Sequence, residues 1–74
     1  MQKAQHEMIL EYLQNHKEGI TSLEAFTLFG VMQTPKRIWI LRNMGYKIMS
    51  IGEQGKNRFG EPVHYTRYVL QVEE

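Results

Sequence analysis

The sequence contains neither cysteine nor aspartate. Without cysteine there is no disulfide framework and no thiolate metal site. Without aspartate, no Ser/His/Asp arrangement is available for nucleophilic catalysis, and acid–base work would fall to scattered glutamates and histidines. An enzyme is not expected. His6, His16 and His64 have no partner at metal-ligand spacing, so no metal and no cofactor is expected either. The Gly55–Gly60 pair spans the right interval for a phosphate loop but lacks the Lys-Ser/Thr that follows one. Long apolar runs are also missing. Residues 1–7 are polar and lead into none, which speaks against a signal peptide or a membrane span. The expectation is a soluble cytoplasmic protein with no membrane partner. A chain of 74 residues is long enough for one domain, 1–74, burying about 60–65% of its unfolded surface.

Net charge is also small, +1 at neutral pH, and gives little support for an acidic partner. Its distribution says more. Over residues 1–30, Lys3 and Lys17 face Glu7, Glu11, Glu18 and Glu24, a balance of −2. Over residues 31–72, seven basic residues (Lys36, Arg37, Arg42, Lys47, Lys56, Arg58, Arg67) face Glu53 and Glu61, a balance of +5. Two readings follow: one basic working face, or chance clustering of solvated charges.

Hydrophobic spacing predicts the elements. Ala4, Met8 and Tyr12 recur every fourth residue, as do Ile9 and Leu13, giving an amphipathic helix from about Gln2 to Lys17 with Gly19 as its stop. Thr21 with Glu24 three residues later forms a capping box opening a second, short helix that ends at Phe29-Gly30. Thr34 is the expected N-cap of a third helix, with Pro35 in its first turn and Gly45 as its C-terminal cap. From Tyr46 the period changes to two. Gly52–Pro62 reads as a polar, glycine-rich loop between two strands, the second running through Val72. Ile20-Thr21 is a candidate short first strand. The order helix, helix, turn, helix, strand, loop, strand is that of a winged helix-turn-helix: mainly α with a β-hairpin, an α+β fold of three helices plus wing. Ile9, Leu13, Leu23, Phe26, Ile38, Leu41, Ile48 and Val69 are the expected core. Trp39, Phe26, Phe29, Tyr46, Tyr65 and Tyr68 are expected to build the core or cover the hairpin.

In a helix-turn-helix the second helix enters the major groove N-terminus first. Here that end offers Gln33 for adenine edges, Arg37 for guanine, Lys36 for phosphate or guanine, and Thr34 with the free backbone N–H groups for a phosphate. Lys56 and Arg58 sit mid-loop between glycines and suit a phosphate chain, and Asn57 suits a minor-groove or sugar contact. The competing readings are a three-helix core whose polar residues face water, a solvated hairpin tip, and a protein-interaction module.

The combined pattern resembles a known family. Thr21-Ser22-Leu23-Glu24-Ala25-Phe26, Phe29-Gly30, Arg37-Ile38-Trp39-x-Leu41-Arg42-x-x-Gly45-Tyr46-x-Ile48, Lys56-Asn57-Arg58-Phe59-Gly60 and Val63-His64-Tyr65-x-Arg67-Tyr68-x-Leu70 resemble the winged helix-turn-helix domain of small phage and prophage proteins. The resemblance covers about Ile20 to Leu70. It implies binding of double-stranded DNA, regulation of transcription, and a place in the host-cell cytoplasm. One position departs from it. Ile40 stands where a polar or acidic residue is expected, on the side of the third helix away from Ile38 and Leu41. An exposed Ile40, with Trp39 beside it, points to an apolar protein contact, and small phage proteins of this shape also act as adaptors or as inhibitors of host nucleic-acid enzymes, such as anti-CRISPR proteins. The partners expected are therefore duplex DNA, a host protein, or a second copy in a homodimer.

Overall fold

The computed structural model describes residues 4–71. The helix start expected at Gln2 and the strand end expected at Val72 lie outside them. Within them the chain runs α1 (Gln5–Asn15), β1 (Ile20–Thr21), α2 (Ser22–Phe29), α3 (Thr34–Asn43), β2 (Ile48–Lys56) and β3 (Pro62–Leu70). The three strands form one antiparallel sheet in the order β1-β3-β2. The predicted architecture of three helices, a hairpin and a short first strand is the one observed.

The local signals act as their chemistry requires. The Thr21 hydroxyl accepts from Glu24 N at 3.1 Å, and the Glu24 carboxylate accepts from Thr21 N at 2.9 Å, closing both halves of the capping box. Gly30 ends α2 in the left-handed region, φ 68°, and its N–H bonds Phe26 O at 2.8 Å. Gly19 has a tighter reason to be glycine. Its φ is +83°, and a Cβ there would lie 2.2 Å from the Tyr68 carbonyl oxygen on β3.

Ile9 and Leu13 of α1, Ile20, Ala25, Val31, Ile38 and Leu41 of α3, Ile48 and Tyr68 form the buried core. Tyr12 joins α1 to α2, with its ring stacked on His16 at 3.9 Å and edge-on to Phe29 at 5.9 Å.

Several core expectations are corrected. Leu23 is 74% exposed and Phe26 55%, because α2 turns Ala25 inward and presents Leu23 and Phe26, one turn apart, to the other side. Trp39 is 64% exposed and Tyr65 is exposed. Val69 is half-buried, and the buried position on that strand is Tyr68.

The hairpin also differs from its sequence reading. Gly52–Lys56, expected in the loop, continues β2 and pairs with Pro62–Thr66, so only residues 57–61 turn. Strand pairing supplies the reason. Tyr65 pairs with Glu53, and its ring reaches diagonally over Gly55, 3.1 Å from where a Cβ would stand, so the aromatic covers the gap the glycine leaves.

Gln71 N bonds Lys47 O at 2.8 Å, which sets the ladder alternation. Odd-numbered residues of β2 and β3 bond each other, and even-numbered residues turn their N–H and C=O outward. On β2 the outward Ile48 carbonyl is taken by the Arg42 guanidinium, at 3.0 Å from Nε and 2.7 Å from Nη2. On β3 the outward side is covered by β1 at Arg67 and Tyr68 alone.

Candidate nucleic-acid interface

The expected site residues divide between the start of α3 and the hairpin tip. Gln33 is the N-cap of α3, not Thr34, and holds φ 58°, ψ 48° without a side-chain cap bond. It is the only non-glycine residue with positive φ among those described, a conformation that costs a side-chain-bearing residue about 1–2 kcal/mol. Thr34 is the first helical residue and is 1% exposed, too buried to hold a phosphate. The helix start offers few free donors as well. Pro35 has no N–H, and those of Lys36 and Arg37 both go to the Gln33 carbonyl, at 3.0 and 3.4 Å.

Lys36 is exposed, with no side-chain partner among the described residues. Arg37 is half-buried, and its Nε donates to Gln5 Oε1 of α1 at 3.0 Å, which fixes the guanidinium stem against the first helix. Two further polar residues of α3 are committed locally. Arg42 is held at Ile48 O and at Ser50 Oγ, 2.8 Å, and Asn43 Nδ2 bonds Trp39 O at 2.8 Å. The exposed residues of α3 are thus Pro35, Lys36, Trp39, Asn43 and Arg42, the last tied to β2. Ile40 is half-buried, and the apolar side chain actually presented is Trp39.

At the other end, Asn57 Oδ1 accepts from Phe59 N at 2.9 Å and from Glu61 N at 3.0 Å, while Gly60 N bonds Asn57 O at 3.0 Å. The oxygen expected to meet nucleic acid is therefore spent shaping the turn. Lys56 and Arg58 are exposed on either side of it, without side-chain partners among the described residues. Sequence reasoning passed over Phe59, which is 79% exposed at the tip. The signal available was its setting, Arg58-Phe59-Gly60, where a turn leaves no neighbour to bury a ring.

A charge network ties the start of α2 to the wing. Arg67 of β3 donates from Nη1 to Glu24 at 3.1 Å and from Nε to Glu53 of β2 at 2.8 Å. The Glu53 hydrogen bond is the largest reason that the Arg67 pKa rises above its ordinary value, working against burial. Glu53 is thereby neutralised, and the tip keeps Lys56 and Arg58 against Glu61. A groove of about 650 Å³ separates the α2 start and Pro35 from the hairpin, with Leu23, Val63 and Tyr65 among its walls.

A protein-family model, the winged helix-turn-helix domain, matches residues 4–73. The chain belongs to the winged helix-turn-helix family. No curated protein and no solved structure matches it. In this winged helix, α2 and α3 are the helix-turn-helix pair and β2–β3 is the wing. No helix among the described residues is long and apolar enough to cross a membrane. Nor does any cluster of three or more histidines and carboxylates among them suit a metal ion.

Proposed function

We propose that this winged helix binds double-stranded DNA, with α3 in the major groove and the wing on the flanking backbone, and acts as a phage or prophage transcription regulator in the host cytoplasm. One observation carries the reading. Among the arginines and lysines on the two elements such a domain lays on DNA, Lys36, Lys56 and Arg58 are exposed without side-chain partners, whereas Arg42 and Arg67 are held internally. Gln33 and Lys36 reach base edges, Trp39 packs against thymine methyl groups, and Arg37 contributes from the side facing α1. So few cations bind weakly alone, and a homodimer supplies the second half-site.

The test is a fluorescence-anisotropy titration of a random duplex across salt concentrations. The expected log–log slope is about −0.9 per phosphate neutralised, and Lys56→Ala and Arg58→Ala each reduce it by about one. No binding at low salt would reject the reading.

A second reading rests on a different observation. Trp39, Leu23, Phe26, Leu28 and Met32 are all more than half exposed, and large aromatics in such settings anchor protein interfaces. A protein-binding inhibitor or adaptor would use Trp39, with Ile40 beneath it, as the anchor. Capture of a host protein that survives nuclease and is lost in Trp39→Ala would favour it over DNA.

A further inference from the structure

We infer that Phe59 at the tip of the wing is a wedge that enters the minor groove and partly separates a base step, so that the wing kinks DNA as well as gripping its backbone. This inference rests on the DNA-binding reading above.

Three features of the tip combine to support it. Phe59 is 79% exposed, more than any other large apolar side chain among the described residues, and it packs in no core. It is also held in place. The Phe59 N–H is bonded to Asn57 Oδ1, the same oxygen binds Glu61 N, Gly60 N returns to Asn57 O, and Asn57 N reaches Glu61 O at 3.0 Å. With the turn's backbone closed by four hydrogen bonds, insertion would cost only the freedom of the ring's own two side-chain torsions. Finally, cations neighbour it along the chain. Arg58 precedes it and Lys56 stands three residues before it, both exposed and without side-chain partners among the described residues, so the same short tip carries an apolar side chain and two cations available to phosphates.

Apolar wedges on basic elements are how minor-groove proteins unstack a step and bend the duplex. The chemistry also fixes the preferred site. Pyrimidine–purine steps, TA above all, unstack most readily, so the wing should favour them without reading a base edge.

The experiment uses the full chain and duplexes carrying 2-aminopurine beside a central TA step, with a second series in which that step is replaced by an AA step. Wild-type protein is expected to brighten the probe in the TA duplex. Phe59→Ala, a substitution at an exposed site, is expected to bind about tenfold more weakly, to leave the probe dark, and to keep the salt slope unchanged. Phe59→Trp is expected to restore the signal. Arg58→Ala should do the converse, lowering the salt slope while the probe still brightens at saturation.

If Phe59→Ala binds as tightly as wild type, or if wild type binds with the probe dark, the wedge is overturned while DNA binding stands. If Phe59→Ala keeps its DNA affinity and instead loses a purified host protein, the tip is a protein contact and the wedge is wrong. If wild type binds no duplex at low salt, the functional reading fails and takes the wedge with it.

Discussion

The Arg67 guanidinium reaches two glutamates on different elements, Glu24 at the start of α2 and Glu53 on β2. Glu24 in turn accepts the Thr21 N–H, so one arginine joins a helix cap to the wing. Because the partners are about a third or more exposed, solvent discounts the pairing. Arg67→Met is expected to cost about 1–2 kcal/mol in urea unfolding. Arg67→Lys should recover only part, since an ammonium lacks the fork that spans both carboxylates.

Gln33 offers a second residue-scale test. Its left-handed backbone suits glycine better, so Gln33→Gly should be neutral or raise stability by up to about 1 kcal/mol. On the DNA-binding reading proposed above, the same change is expected to weaken DNA binding, because that reading has the Gln33 side chain meet a base. The sequence placed exposed cations at the start of α3 and at the hairpin tip but not the state of each side chain. The exposure of Lys36, Lys56 and Arg58 was legible because a surface cation needs no partner. Thr34, Asn57 and Arg37 were not, since core burial, a turn and a glutamine 32 residues away claimed them.

At the scale of elements, the fold was largely readable because both ends of α2 and the end of α3 carry their own chemistry: Thr21 with Glu24, Gly30, and Gly45 with φ 104°. The inward face of α2 was not. Ser22–Phe29 has apolar residues on all sides, so periodicity selects no face, and packing against α1 and β1 chose the small Ala25. Leu41→Ala in the core of α3 is expected to lower stability by about 2–5 kcal/mol. Leu23→Ala on the exposed side of α2 should change it by less than about 0.5 kcal/mol. Glycines divide in the same way. Gly30→Ala has open space around it and should cost about 1 kcal/mol for its backbone conformation. Gly19→Ala adds a collision with the β3 backbone and should cost more than Gly30→Ala in the same thermal melt.

Over the whole molecule, the hairpin is joined to the helices mainly near its base, through Tyr68, Arg67 and the Arg42 clasp on Ile48. That arrangement leaves the recognition helix and the wing as two separate contacts on one frame, which suits a ligand with repeating grooves. It also follows from the two-residue length of β1 that β3 is bonded on both edges near Arg67 and Tyr68 and on one edge beyond. Mechanically the outer wing is a cantilever with its fulcrum at those two residues. Deuterium uptake should show it directly. The amides of Val63 and Tyr65, turned toward β2, exchange slowly, while those of His64 and Thr66, turned to the side β1 never reaches, exchange fast. On the DNA-binding reading proposed above, a beam clamped at one end and free at the other would let its tip ride over grooves of unequal width while the helices stay seated.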